Sequence, residues 1–309
     1  MQKIAVIGAG LMGHGIAQVF ALGGHAVRLT DIKDEILVTA RNNMAANLAL
    51  LAEHGIVAKE AAGPALERVS TTTELARAVE GADWVVEAVI ENLEIKQNLF
   101  RELDALCPER TILATNTSVI SITQIGAKTR HPGRVVGTHF WNPPYLIPLV
   151  EVVRGDHTVD EVMDRTIDLL QQVGKHPVRV NKDVPGFVGN RLQHALWREA
   201  ISIVEHGIAD AATVDECVKF GFGLRLPILG PMENSDLVGT DLTLAIHDYL
   251  LKHLERSPDA SALLKEIVAR GDLGFKSGRG FQKWSAEDIA ATHNRLKTYL
   301  LKVTSQPKS

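Results

Sequence analysis

The sequence predicts an α/β protein in which a doubly wound, mainly parallel sheet is followed by a second, all-helical domain. In the first half of the chain, short β-branched runs alternate with helical patterns, which is typical of parallel sheets flanked by helices. After Asp183-Val184-Pro185-Gly186 the strand signal disappears, and from Phe187 onward apolar residues recur three or four positions apart. We therefore predict two domains, at residues 1–184 and 185–309.

The elements of the first domain follow from these runs in order. Strands are predicted at Lys3–Ile7, Ala26–Thr30, Trp84–Val89, Thr111–Thr115 and Pro177–Val180, and in the two apolar runs that flank Asn142-Pro143-Pro144. Helices are predicted at Met12–Leu22, Ile36–Glu53 and Glu94–Leu106. Three further helices are expected to begin at capping boxes, in which a Thr and a Glu three residues later bond each other's backbone amides. These pairs are Thr71 with Glu74, Thr158 with Glu161, and Thr213 with Glu216.

The bulk properties exclude several classes of protein. A chain of 309 residues with 45% apolar residues and a net charge of −4 is ordinary for a globular protein, and no nucleic-acid partner is indicated. Cys107 and Cys217 lack metal-ligand spacing, and the twelve histidines show no HExxH pattern, so we expect no metal. The first strand begins almost at once, and no run of about eighteen apolar residues occurs. We expect a soluble, cytoplasmic protein without membrane partners.

A glycine-rich loop connects the first strand to the first helix. Gly8 allows a tight turn, Gly10 lets backbone amides approach a pyrophosphate, and Gly13 allows the helix to pack closely on the strand. Because the loop sits between strand and helix, we assign Gly8, Gly10, Leu11, Met12 and Gly13 to a Rossmann-type dinucleotide site. The alternatives are an unrelated turn, or an FAD or nucleotide-sugar site.

Two residues near this loop are interpreted differently. Asp31 ends the second strand, eighteen residues after Gly13, where a carboxylate can bond ribose hydroxyls and would repel a 2′-phosphate. It therefore predicts NAD rather than NADP. His14 directly follows the loop, and we expect it to lie on the helix surface without a role.

Residues 134–153 carry the most informative pair of side chains. If the two apolar runs pair as antiparallel strands, His139 and Glu151, six residues either side of Tyr145, face each other. A carboxylate beside an imidazole fixes its tautomer and raises its basicity, as a general base requires. The alternative is a core histidine and a glutamate that faces solvent, and this segment alone does not decide between them.

Several motifs occur in one order over residues 3–284. They are the glycine loop, Asp31, Glu91-Asn92-Leu93-Glu94-Ile95-Lys96, Asn116-Thr117-Ser118, the His139–Glu151 segment, Lys182–Phe187 with Asn190-Arg191, and Gly274–Phe281. With these motifs the chain strongly resembles the 3-hydroxyacyl-CoA dehydrogenase family.

The resemblance implies a role for each matching residue in hydride transfer to NAD. His139 would be the general acid/base, oriented by Glu151, and Ser118 would bond the substrate hydroxyl. Asn142 and Asn190 would hold the active-site geometry and the substrate carbonyl. The alternatives are that Ser118 caps a turn and Asn190 lies on an exposed helix face, or that Ser118, His139 and Glu151 form an acyl-transfer triad. The triad lacks a GxSxG elbow and would leave the dinucleotide loop unused.

The resemblance also implies cofactor contacts outside the glycine loop. Glu91 and Lys96 would contact the nicotinamide-side ribose, with Asn116 and Ser118 beside them. It further implies a homodimer formed through the helical domain.

Departures from the acyl-CoA enzymes bear on the substrate. Residues 42–58 contain no Lys or Arg, although CoA carries several phosphate charges. Three short motifs are similar to the branch that contains lambda-crystallin and L-gulonate 3-dehydrogenase, whose enzymes act on free hydroxy acids. They are Asn142-Pro143-Pro144-Tyr145, Asn190-Arg191-Leu192-Gln193 and Gly223-Leu224-Arg225. Arg225 would bind a substrate carboxylate; alternatively it is a surface arginine paired with an acid.

We therefore expect an NAD-dependent dehydrogenase that oxidises the secondary alcohol of a 3-hydroxy acid or a close analogue. One alternative is an S-3-hydroxyacyl-CoA dehydrogenase. Another is a dehydrogenase of an aromatic hydroxymethyl or aldehyde compound. A third is a non-catalytic, crystallin-like protein that binds NAD.

Overall fold

The computed structural model describes residues 1–305, which divide into two compact units. The first unit contains residues 1–191 together with the chain from Leu296 onward, and the second contains Leu192–Arg295. This division does not coincide with the predicted boundary near residue 184. The last helix accounts for part of the difference, because its buried Leu301 packs with Leu51 and Leu146 of the first unit.

An eight-stranded sheet forms the centre of the first unit. Its strands are β1 (Lys3–Ile7), β2 (Ala26–Thr30), β3 (Val69–Thr72), β4 (Trp84–Glu87), β5 (Ile112–Thr115), β6 (Val135–Phe140), β7 (Leu149–Arg154) and β8 (His176–Val180). They lie in the order β3-β2-β1-β4-β5-β6-β7-β8, and all neighbours are parallel except β6 and β7. The predicted doubly wound, mainly parallel sheet is confirmed.

Thirteen α-helices occur in the described residues. Those of the first half are α1 (Gly13–Leu22), α2 (Asp34–Glu53), α3 (Lys59–Glu67), α4 (Leu75–Val79), α5 (Leu93–Leu106), α6 (Ile122–Gly126) and α7 (Asp160–Gln172). They are followed by α8 (Gly189–Glu205), α9 (Ala211–Phe220), α10 (Pro231–Val238), α11 (Thr240–Leu250), α12 (Ala262–Ala269) and α13 (Ala286–Thr304). No described helix has both the length and the apolar character needed to cross a membrane.

The strands are apolar because helices cover both faces of the sheet. Alternate residues of β1 enter different cores: Ile4 and Val6 pack in one buried cluster, and Ala5 and Ile7 pack in the other. Every residue of β4, β5 and β6 is buried. Such two-sided burial is typical of parallel strands and produces the continuous apolar runs from which the sheet was predicted.

The predicted capping boxes are wrong, although all three helices exist. Thr71 lies in β3, and the Thr158 hydroxyl instead accepts from the Gly155 amide (2.9 Å) and donates to the Val135 carbonyl (2.6 Å). Helix α9 is capped by Asp210, whose carboxylate accepts from the Thr213 amide at 2.8 Å. Spacing alone does not distinguish a cap from a threonine whose hydroxyl is used by another loop.

Candidate active site

The predicted cofactor residues meet at the carboxyl edge of the sheet. Strand β1 lies between β2 and β4, so the strand order reverses beside it. Ligands of open α/β sheets bind in the crevice at such a reversal. The glycine loop follows β1, Asp31 follows β2, and Asn116 follows β5, so all three flank this edge.

The glycine loop has the backbone geometry that a dinucleotide site requires. Gly8 has φ +96°, and a Cβ there would lie 2.6 Å from the Ala88 carbonyl oxygen. A Cβ at Gly13 would lie 1.7 Å from the Gly8 oxygen. At Gly10, by contrast, a Cβ would meet no atom within 4 Å. Two glycines therefore allow close packing of the protein, whereas the third leaves space that a pyrophosphate can enter.

Asp31 holds the loop from the end of β2. One carboxylate oxygen accepts from the Ala9 amide and the other from the Ile32 amide, both at 2.7 Å. Each oxygen keeps acceptor capacity, since a carboxylate offers about four lone-pair sites. The group can therefore bond ribose hydroxyls without releasing the loop, which fits the NAD site predicted from the sequence.

The expectation for His14 is wrong. This side chain is 8% exposed, and its Nδ1 lies 2.7 Å from the Gly10 carbonyl oxygen, to which it donates. It fixes the loop at the residue beside which the pyrophosphate would lie. The signal was its position four residues after Gly10 at the start of a helix, where a side chain reaches back over the preceding turn.

His139 and Glu151 are paired in the β6–β7 ladder and are both buried. The imidazole Nδ1 lies 2.8 Å from Glu151 Oε2, and Glu151 Oε1 accepts from the amides of Val188 and Gly189, each at 2.9 Å. Because the carboxylate fixes the proton on Nδ1, the lone pair of the neutral ring lies on Nε2. The predicted facing of the two side chains is present, and α8 begins at the carboxylate.

Electrostatics keep Glu151 ionised despite its burial. Burial by itself raises the pKa of this carboxyl, but the hydrogen bonds from His139, Gly189 and Val188 outweigh it and lower the pKa below its ordinary value. Gly189 has to be glycine, because a Cβ there would lie 2.5 Å from Trp141 Cζ2. The close approach of α8 therefore depends on this residue.

Aromatic rings surround the imidazole. The Trp141 ring centroid lies 5.3 Å from that of His139, and the Phe187 centroid lies 5.7 Å from it. Phe187 is 1% exposed and adopts φ +50°, which is uncommon for a residue with a Cβ. The contact of Phe187 with His139 was not predicted from the sequence.

Ser118 and Asn190 are connected by a hydrogen bond. The Asn190 amide nitrogen donates to the Ser118 carbonyl at 3.0 Å, and the Ser118 amide donates to Glu91 at 3.0 Å. Asn190 belongs to the first turn of α8, next to the amides that bind Glu151. The structure thus forms two hydrogen-bonded pairs, Asn190 with Ser118 and His139 with Glu151, and they are adjacent because Asn190 follows Gly189, whose amide bonds Glu151. Asn142 is exposed in the turn after β6.

Lys96 pairs with Glu91 and with a second carboxylate, that of Glu87, which was not predicted from the sequence. Lys96 is 1% exposed, and its Nζ lies 2.6 Å from Oε1 of buried Glu87 and 3.4 Å from Glu91 Oε2. Burial raises the pKa of Glu91, but the Thr117 hydroxyl, the Lys96 ammonium and two amides outweigh it, so that the pKa is lowered. An acid at the end of an apolar strand was the available signal for Glu87.

The remaining predicted residues have separate positions. Asn116 is buried, and its side-chain oxygen accepts from the Phe140 amide at 2.9 Å, which connects the ends of β5 and β6. Arg225 belongs to the second unit, follows a short 3-10 turn and is exposed. Within residues 1–305 it forms no ion pair, so the alternative of a surface arginine paired with an acid is not observed. In the same residues no group of His, Cys, Asp or Glu is placed to hold a metal ion.

A dinucleotide loop at the reversal of a doubly wound sheet, with a buried His–Glu pair on the same edge, defines an NAD-binding oxidoreductase. Residues 3–184 match the sequence model of the 3-hydroxyacyl-CoA dehydrogenase NAD binding domain, and residues 186–284 match that of the C-terminal domain. The chain belongs to the 3-hydroxyacyl-CoA dehydrogenase family. It is an NAD-dependent dehydrogenase, as predicted.

Two relatives with different substrates match most of the chain. The first is the 5-formyl-3-hydroxy-2-methylpyridine 4-carboxylate 5-dehydrogenase of Mesorhizobium japonicum, which is 36% identical over 94% of this chain and 93% of its own. The second is the probable 3-hydroxybutyryl-CoA dehydrogenase of Bacillus subtilis, which is 40% identical over 91% of this chain and 96% of its own.

Two solved structures also represent these two kinds of substrate, a free carboxylate and a CoA thioester. A crystal structure of the pyridine carboxylate 5-dehydrogenase, described as an NAD+ dependent dismutase, covers 98% of this chain and 97% of its own with a TM-score of 0.91 and 36% identity. The (S)-3-hydroxybutyryl-CoA dehydrogenase of Ralstonia eutropha covers 92% of this chain and 99% of its own with a TM-score of 0.78 and 34% identity. The narrower resemblance to the lambda-crystallin branch stays a prediction.

Proposed function

We propose that this dehydrogenase oxidises the hydroxyl group of a small free carboxylic acid, a 3-hydroxy acid or a close analogue, with His139 as general acid/base. The buried His139–Glu151 pair carries this proposal. Its Nδ1 proton is held by a carboxylate that two backbone amides keep in place, so Nε2 is available to take a proton.

In this mechanism Nε2 of His139 removes the hydroxyl proton as the adjacent C–H bond breaks and a carbonyl forms. Bound NAD supplies the hydride acceptor. Glu151 stabilises the imidazolium that results, and the aromatic rings of Trp141 and Phe187 limit the access of water to it. We assign Ser118 to the substrate hydroxyl and the nearby cofactor, and Asn190 and Asn142 to positioning of the substrate.

Two observations support a free acid over a CoA thioester. Residues 42–58, which end α2 and the turn after it, carry no Lys or Arg, and the last turn of α2 contains no basic residue. In addition, the structure with the TM-score of 0.91 is that of an enzyme named for a free carboxylate. We assign the exposed Arg225 to the substrate carboxylate.

A substrate panel tests this proposal. NADH formation is measured with free aliphatic and aromatic hydroxy acids beside the matching CoA thioesters. We expect the highest kcat/KM with a free acid. A higher value for 3-hydroxybutyryl-CoA would favour the acyl-CoA alternative, and no turnover of any hydroxyl or aldehyde compound would favour the non-catalytic one.

Oxidation of an aromatic aldehyde is a second candidate, which the formyl group in the name of the pyridine carboxylate relative favours. A hydrated aldehyde presents a C–H and a hydroxyl on one carbon, so the same proton and hydride transfer would yield a carboxylic acid. Mass spectrometry of the product, with aldehydes that carry a ring carboxylate, distinguishes this reaction from ketone formation.

We further propose a homodimer formed through the second unit. Of residues 192–295 only Ser202 and Ile267 are buried, whereas many large apolar side chains are exposed. A second copy is the occupant we expect, since most soluble oligomers are symmetric homo-oligomers. We also propose a cytoplasmic location, which is supported by an exposed, unpaired Cys217 of the kind that a reducing compartment preserves.

A further inference from the structure

The backbone is strained at Phe187, directly before the helix whose first amides bind Glu151. Phe187 has φ +50°, and among residues 1–305 it is the only residue other than glycine with a positive φ. A residue with a Cβ is strained in this left-handed conformation, whereas glycine adopts it freely. Gly186, the residue before it, also has a positive φ of +76°. Two consecutive left-handed residues therefore turn the chain between β8 and α8.

This turn directs two backbone amides at Glu151. The amides of Val188 and Gly189 follow Phe187 immediately, and each donates to Glu151 Oε1 at 2.9 Å. The other carboxylate oxygen, Oε2, lies 2.8 Å from His139 Nδ1. In a right-handed conformation of Phe187 the two amides would point elsewhere, because the φ and ψ of a residue set the direction of the chain that follows it. The left-handed backbone therefore fixes the carboxylate that orients the imidazole.

Packing of the Phe187 ring holds this backbone in place. The side chain is 1% exposed and belongs to the buried apolar cluster that contains Ile125, Val153 and Val180. The same ring lies beside the imidazole of His139, with 5.7 Å between the two ring centroids. Strained backbone persists only where the surrounding structure holds it in place. At Phe187 the burial of a large aromatic ring offsets the strain.

We propose that Phe187 is a positioning residue for the His139–Glu151 pair. Its left-handed backbone aims the two amides at Glu151, and its buried ring holds that backbone. When the backbone relaxes, the carboxylate is free to turn away from Nδ1, so the tautomer of His139 with its lone pair on Nε2 is no longer fixed. The inference rests on the proposed role of His139 as general acid/base and does not depend on the substrate.

Three variants separate the backbone from the ring. Phe187→Gly allows the left-handed turn without strain but lacks the ring, and Phe187→Leu fills most of the same apolar space. Phe187→Ala has the strain without the packing that offsets it. We expect Phe187→Ala to lower kcat about a hundredfold, and the other two variants to lower it about tenfold or less. The Kd for NAD should be unchanged in all three.

Proton NMR gives a readout that does not depend on turnover. A proton held between Nδ1 and a carboxylate gives a resonance at low field, and its absence in His139→Gln assigns it. We expect this resonance in the wild type, Phe187→Gly and Phe187→Leu, but not in Phe187→Ala. A folded Phe187→Ala variant that keeps the resonance and the turnover would overturn the inference. If that variant does not fold, loss of the resonance from either of the other two would overturn it.

Phe100 provides a matched control. It is also fully buried and belongs to the same apolar cluster, but it lies within α5, where the backbone is right-handed. Phe100→Ala and Phe100→Leu should lower the melting temperature but leave kcat and the low-field resonance unchanged. Loss of the resonance in these variants would show that it reports core packing in general, and would overturn the inference.

Failure of this inference is distinguishable from failure of the proposed function. A folded Phe187→Ala variant with normal turnover of free acids contradicts only the role of Phe187. The expected pattern of resonances without turnover of free acids contradicts only the proposed substrate. Undiminished turnover by His139→Gln contradicts the role of His139 itself.

Discussion

The two units of this chain differ in how they use their apolar residues. The first unit buries its apolar side chains in clusters on both faces of a sheet. The second buries only Ser202 and Ile267, while large side chains such as Phe220, Ile228 and Tyr249 are more than 70% exposed. The first unit therefore has a complete core, whereas the second leaves most of its large apolar side chains exposed, which is the observation behind the proposed homodimer.

The chemistry-bearing groups follow the same division. His139, Glu151 and the buried Glu87–Lys96 ion pair all belong to the first unit, where each has a hydrogen-bond partner. Arg225, which we assign to the substrate carboxylate, is exposed in the second. The first unit would therefore hold the reacting groups, and the second unit would contribute to substrate choice and assembly.

Replacing His139 should have the largest effect. It would test whether the first unit carries the reacting groups and the second affects only substrate binding. We expect His139→Gln to lower kcat about a thousandfold through the loss of general base catalysis, with NAD binding retained. Arg225→Ala should instead raise KM about tenfold for a free acid while kcat is kept. Steady-state kinetics and an NAD titration measure both, and a large loss of kcat in Arg225→Ala would contradict the comparison.

Introducing charge on the second unit should change the assembly. We expect Ile228→Asp with Leu244→Asp to convert a dimer to a monomer, because each change places a carboxylate in an apolar contact that excludes water. Val38→Asp is the matched control, since Val38 is 60% exposed in the first unit and should leave the mass unchanged. Light scattering after gel filtration reports the mass. A monomeric wild type would contradict the proposal.

The glycine loop offers a smaller test within the first unit. Gly10→Ala should fold normally, since its Cβ meets no protein atom within 4 Å, but should weaken NAD binding about tenfold. Gly63→Ala in α3 is equally unobstructed and serves as the control. Equal NAD affinities of the two variants, by fluorescence titration, would show that the space at Gly10 is not used.

The last prediction concerns the pH dependence of the stability that Glu151 contributes. Because its pKa is lowered in the folded state, the ionised carboxylate stabilises the fold above its unfolded pKa of 4.5, and this contribution is lost as the pH falls through the folded value. We expect Glu151→Gln to cost about 1–3 kcal/mol at pH 7 and less below pH 4.5. Denaturant unfolding at several pH values measures the difference. A cost that is independent of pH would contradict the lowered pKa.

Particular residues show which features could be predicted from the sequence and which could not. The glycine loop and Asp31 were identifiable because a short local motif fixes their backbone geometry. Glu87 was missed because its partners Lys96 and Thr115 lie 9 and 28 residues away along the chain. Strand β3 was missed because it is a polar edge strand of the sheet, with Val69 its only fully buried residue.

The sequence by itself determined the fold class, the NAD loop and the facing of His139 and Glu151, since these depend on periodicity and on pairing within short segments. Only the tertiary structure decided the partners of each charged group. It showed that α8 begins at Glu151, that His14 fixes Gly10, and that Glu87 and Glu91 share Lys96. These contacts join elements that are separate in sequence, and burial determines which contact each side chain makes.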